Sequence, residues 1–92
     1  MFIEKWEKCD YVRFAHELDM ELERVVISGK ENPTVTAVLN ANNFLISVIL
    51  TDDECIALPS CPFNVERANR VLEKIMSERF VGEYENRHGN TL

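Results

Sequence analysis

Glycine, proline and cysteine are all scarce in this chain, with three of each. The glycines, Gly29, Gly82 and Gly89, stand alone, which excludes a glycine-rich phosphate loop. Cys9, Cys55 and Cys61 form an odd set without a Cys-x-x-Cys pair, whereas a short secreted chain stapled by disulfides carries an even framework. Two histidines are present, His16 and His88, and neither has a serine or cysteine at a nucleophile–base spacing. Cys55 and Cys61 with the remote Cys9 and His16 do not make a zinc set. No apolar run reaches membrane length, and Phe2 to Glu7 alternates apolar and charged residues without a signal-peptide core. These absences point away from an enzyme, a cofactor, a metal centre or a membrane partner. The expected setting is a reducing cytoplasm, with three free thiols that are mostly buried.

What is present is a globular composition, 46% apolar and 28% charged over 92 residues. That supports one small acidic α+β domain spanning residues 1–92, with dimerisation as a common remedy for so small a core. Phe44-Leu45-Ile46-Ser47-Val48-Ile49-Leu50 is the longest nearly unbroken apolar run. Its length and β-branched content suit a buried central strand. Asn40–Asn43 before it and Thr51–Glu54 after it are turn chemistry. Thr34–Leu39 and Glu54–Leu58 read as strands on either side. Ser28–Pro33 is a turn that would join Thr34–Leu39 to a strand over 25–27, unless the first helix runs on to Ile27.

Apolar residues at helical spacing predict a first helix over residues 2–20, with Asp10 able to cap a break within it. A final helix follows the cap Asn64. Val65, Ala68, Val71, Leu72, Ile75, Met76 and Phe80 form its apolar face, and Glu66–Arg70 and Lys74–Glu78 are spaced for ion pairs on the other. Gly82 ends it, and residues 83–92 read as a frayed tail. The fold expected is an N-terminal helix, a three- or four-stranded antiparallel meander and a C-terminal helix. Both helices would cover one face of the sheet in a two-layer sandwich. The central strand is apolar at nearly every position, so the opposite face also needs cover, from a second copy or a target.

The net charge of −6 disfavours direct grip on nucleic acid or an anionic membrane. Its distribution is uneven. Residues 1–23 hold seven acids against three bases, whereas residues 64–92 hold five of each. On a helix continuous to residue 21, Glu7, Asp10, Glu17 and Glu21 would fall within about 80° of one another, at a spacing comparable to DNA phosphates. Asp52, Asp53 and Glu54 add a second acidic group at a turn. They lack the alternate spacing and central glycine of a calcium loop.

In size, acidity and lack of catalytic groups, the whole chain resembles the small phage anti-restriction proteins of the Arn type, which mimic DNA. That resemblance implies a homodimer whose carboxylates imitate phosphate rows and block the DNA-binding site of a restriction nuclease, in the cytoplasm of an infected bacterium. The leading expectation is therefore a non-enzymatic inhibitor acting through Glu7, Asp10, Glu17, Glu21, Asp52, Asp53 and Glu54. The alternative is a small acidic chaperone or immunity-type adaptor. It would bind one protein partner through an apolar sheet face and be sensitive to changes at Phe44 or Ile46.

Overall fold

A computed structural model describes residues 3–58 and 62–82. A 3-10 turn at Ile3–Lys5 leads into helix α1, Lys8–Glu17. Strands β1 (Glu21–Ser28), β2 (Thr34–Ala41), β3 (Phe44–Leu50) and β4 (Cys55–Ala57) follow, and helix α2 spans Val65–Arg79. The four strands form one antiparallel sheet in the order β1-β2-β3-β4. This is the α+β architecture expected from the sequence.

The first helix is shorter than its periodicity suggests. It stops at Glu17 because the chain enters a Schellman turn. The Met20 amide donates to the Ala15 carbonyl and the Asp19 amide to the His16 carbonyl, with Asp19 in the left-handed region at φ 60°. Glycine usually marks that position, and aspartate is one of the few other residues to tolerate it. The helix therefore does not reach residue 21, and Glu21 instead opens β1.

Each hairpin is set by its turn. Ala41 pairs with Phe44, leaving Asn42 and Asn43 as a two-residue connection with φ of 51° and 68°. Positive φ at both central residues is the type I′ geometry that matches strand twist. The Asn40 side chain adds a 2.8 Å bond from the Asn43 amide. Gly29, at φ 93°, turns β1 into β2, and a Cβ there would meet the Asn32 carbonyl at 3.0 Å. Between β3 and β4, Thr51 Oγ1 accepts from the amides of Asp53 and Glu54.

Register fixes the two faces. Val35, Ala37 and Leu39 of β2 and Ile46, Val48 and Leu50 of β3 point to one side, and all are buried. There they meet Phe14 and Ala15 of α1 and Ala68, Leu72, Ile75 and Met76 of α2. Trp6 packs edge-on to Tyr11 with ring centroids 5.1 Å apart, closing the core beneath the N-terminus. On α2 the apolar face is as expected, except that Val65, in the first turn, is exposed. The anticipated pairs along α2 give way to pairs between helices. Glu78 binds Arg13, Lys74 binds Glu17 at 3.2 Å, and Glu66 and Arg70 form no ion pair among the described residues. The helices pack closely enough that a charge on the neighbour is the nearer partner. The expected frayed tail at 83–92 lies outside the described residues.

Candidate interaction surfaces

The seven acids singled out from the sequence have unequal surroundings. Asp10 is buried. It accepts 2.7 Å from the Glu7 amide, helping to cap α1, and pairs with Arg79 Nε at 3.0 Å. Arg79 also reaches the Lys5 carbonyl, so this one contact ties the last turn of α2 to the start of α1. Asp52 is only 3% exposed and accepts 2.7 Å from the Ile3 amide, anchoring the N-terminal turn to the end of the sheet. Glu17 is held between Arg13 Nε at 2.8 Å and Lys74. Partial burial raises its pKa, but the hydrogen bonds from Arg13 and Lys74 outweigh this and hold it below the usual carboxylate range. The bond from Arg13 likewise holds Glu78 low.

Glu7, Glu21, Asp53 and Glu54 remain exposed. They do not form a single row. Glu21 is level with Asn40 and Leu45 at one end of the sheet, while Asp53 and Glu54 follow Leu50 at the other. The five steps from Leu45 to Leu50 separate the two ends by roughly 17 Å. The alignment expected of Glu7, Asp10, Glu17 and Glu21 required one continuous helix, and the turn at Asp19 removes it.

The other sheet face is different in kind. Across it run Val26, Thr36, Ile49 and Ile56 in register, with Arg24, Val38 and Ser47 in the next row and Glu21, Asn40 and Leu45 beyond. From β2 to β4 these rows carry no charged side chain. Val26, Leu45 and Ile56 are 45%, 53% and 42% exposed. Both helices lie on the opposite side, and among the described residues no element covers this one. The apolar face that the sequence offers at Phe44 and Ile46 is the one that the helices cover. Ile46 faces the helices and is buried, and Phe44 shares its side but sits exposed at the end of the strand. Side chains alternate, so a shift of one residue exchanges the faces. The signal for the correct phase lay in the polar residues. Ser47 marks the open side of β3, and Thr34, Thr36 and Asn40 mark it on β2.

Two hollows flank β1. A polar cleft of about 520 Å³ lies among His16, Asp19, Met20, Glu21 and the Asn40–Asn43 turn. His16 is exposed there, and no group of three metal-ligating side chains occurs among the described residues. A more apolar groove of about 510 Å³ runs between α1 and β1, lined by Tyr11, Val12, Leu22, Val25 and Ile27, with Lys8, Glu23 and Arg24. The thiols divide. Burial, with Glu54 nearby, pushes the Cys55 thiol up to about 12, whereas Cys9 is exposed. Cys61 lies outside the described residues. No helix among the described residues is long and apolar enough to cross a membrane. No known protein family, curated protein or solved structure matches the chain.

Proposed function

We propose that the chain is a non-catalytic adaptor of the chaperone or immunity type, which binds one protein partner through the face of its sheet opposite helices α1 and α2. The observation that carries this reading is the uncharged face from β2 to β4. Leu45 and Ile56 are exposed there and Ile49 is partly so, around a buried Val38 and among threonine, serine and asparagine, in a protein of net charge −6. Exposed apolar area bounded by polar residues is the usual composition of a protein-binding surface. Burying it costs no charge desolvation, so salt leaves the complex largely intact. The test is capture of a partner by the immobilised protein, followed by a salt gradient. Leu45→Asp with Ile56→Asp abolishes capture and leaves the folded spectrum unchanged. Capture that survives this double change overturns the reading.

A second reading keeps the mimicry of DNA against a restriction nuclease. It rests on the net charge and on the exposed Glu7, Glu21, Asp53 and Glu54. Its signature is opposite. The partner would be released at moderate salt, displaced by duplex DNA, and lost when those four acids are reversed to lysine.

A further inference from the structure

The two edges of the sheet are finished differently. β4 is three residues long, and its backbone at Cys55 is taken by α2, whose Asn69 Oδ1 accepts 2.7 Å from the Cys55 amide while Asn69 Nδ2 donates to the Cys55 carbonyl. Short strands and covered backbone are the usual protection of a sheet edge. β1 is eight residues long. A bulge between Leu22 and Arg24, with Glu21, Glu23 and Arg24, guards its first half. Its second half, Val25-Val26-Ile27-Ser28, is regular, uncharged and mostly β-branched, and Val26 and Ile27 are 45% and 54% exposed.

The register shows which backbone groups that half presents. Cys55 points its amide and carbonyl at Asn69, so Leu50 and Cys55 are a non-hydrogen-bonded pair. Hydrogen-bonded and non-hydrogen-bonded pairs alternate along an antiparallel ladder. Carried across the sheet, this turns Leu50 and Val35 toward each other and leaves Val25 and Ile27 with their N–H and C=O groups on the free side of β1. Among the described residues, no hydrogen bond reaches those groups from that side.

We propose that this edge pairs with the same edge of a second copy, antiparallel and centred on Val26, joining two sheets into one of eight strands. In that register Val25 of each copy hydrogen-bonds opposite Ile27 of the other, giving four backbone bonds that use the free groups. Val26 faces Val26, and Arg24 faces Ser28, so no like charges meet within the paired segment. The side chains of Val25 and Ile27 from the second copy enter the apolar groove beside Tyr11 and Val12. Beyond the pairing, Lys30 and Glu31 of the second copy arrive together beside Glu21 and Glu23, so the one cation there is offset by a further acid. The contact is smaller than the ~800 Å² per partner of a standard interface, so the dimer is weak and concentration-dependent. Two chains of charge −6 repel, so salt tightens it.

The test uses the full chain. At a non-hydrogen-bonded pair the Cα atoms lie about 4.5 Å apart, within the range that a disulfide spans. With Cys9 and Cys61 replaced by serine and the buried Cys55 kept, Val26→Cys forms a covalent dimer under mild oxidation. Ile56→Cys, on the protected edge and the open face, does not. Sedimentation of the unaltered protein over a concentration series shows a monomer–dimer equilibrium. Val26→Lys raises the dissociation constant at least tenfold with an unchanged circular dichroism spectrum. A protein that stays monomeric up to about 1 mM overturns the proposal. So does an Ile56→Cys or Leu45→Cys variant that cross-links as readily, which would mean face-to-face packing. β1 amides that gain protection only when a peptide is added would assign the edge to a different occupant and overturn it as well.

Discussion

The two faces of the sheet are built from similar residues and have opposite fates. On the helix side, Leu39, Ile46, Val48 and Leu50 are sealed by Phe14, Leu72, Ile75 and Met76. On the other side, Leu45, Ile49 and Ile56 stand among threonine, serine and asparagine, with no helix over them among the described residues. Apolar content alone does not locate the core of so small a protein. The core is where the amphipathic helices land, and among the described residues nothing covers the face they leave. Stability and recognition should therefore separate cleanly by face.

The largest effect expected is on the covered side. Phe14→Ala leaves a cavity in a fully buried site and should cost about 3–5 kcal/mol, read as a fall in the chemical denaturation midpoint. Leu45→Ala on the open face should stay within about 0.5 kcal/mol by the same measurement. Comparable losses at the two sites would break the distinction.

The acids sharpen the same contrast on a smaller scale. Asp52→Ala leaves the buried Ile3 amide without its 2.7 Å acceptor and should cost about 1–3 kcal/mol. Asp10→Ala removes the bond to the Glu7 amide and should cost about 1 kcal/mol through the lost cap alone. Glu21→Ala, at the exposed start of β1, should be nearly silent. Thermal melts of the three variants give the order directly.

Titration provides a further test of the core under the N-terminus. Burial, with Asp10 and Glu4 nearby, pushes the Tyr11 hydroxyl up to about 12, and it donates 3.0 Å to the Ile3 carbonyl. A phenol whose folded pKa is raised adds stability that is complete below its unfolded value near 10 and is lost as pH climbs through about 12. Stability followed from pH 9 to 12 should fall, and the fall should flatten in Tyr11→Phe. Glu17 and Glu78 act at the other end, because their folded pKa values are lowered. Their contribution is present above the ordinary carboxylate range near 4.3 and disappears as pH falls below it, and Arg13→Ala should weaken that acid-side dependence, with Lys74 still holding Glu17 low.

The smallest expected effect is chemical. A thiol reagent at pH 8 should modify exposed Cys9 and leave Cys55 untouched until the protein unfolds, since the Cys55 thiol is pushed up to about 12. Peptide mapping of the labelled protein distinguishes the two sites.

Much of this fold was legible in the residues themselves. The run from Phe44 to Leu50 is β3 to the residue, and Asn64 caps α2 through its Oδ1 as its position before the apolar face suggested. The end of α1 was not legible, because its left-handed turn residue is Asp19 and not glycine. Nor was the burial of Asp10 and Asp52. Their partners, Arg79 and the Ile3 amide, lie far away in the chain, and local pattern does not carry contacts of that range. The open face was half visible. The sequence demanded cover on both sides of the sheet, but its phase depended on reading Ser47, Thr36 and Asn40 as the outward set.

On the proposed function, recognition belongs to the sheet face opposite the helices and not to the acids. The most direct measurement sets two variants side by side in one partner-capture experiment. One carries Leu45→Asp with Ile56→Asp, and the other carries lysine at Glu7, Glu21, Asp53 and Glu54. Both are first checked for unchanged melting. Loss of capture in the first with retention in the second is the expected result. Retention in the first with loss in the second would contradict it and return the function to the carboxylates.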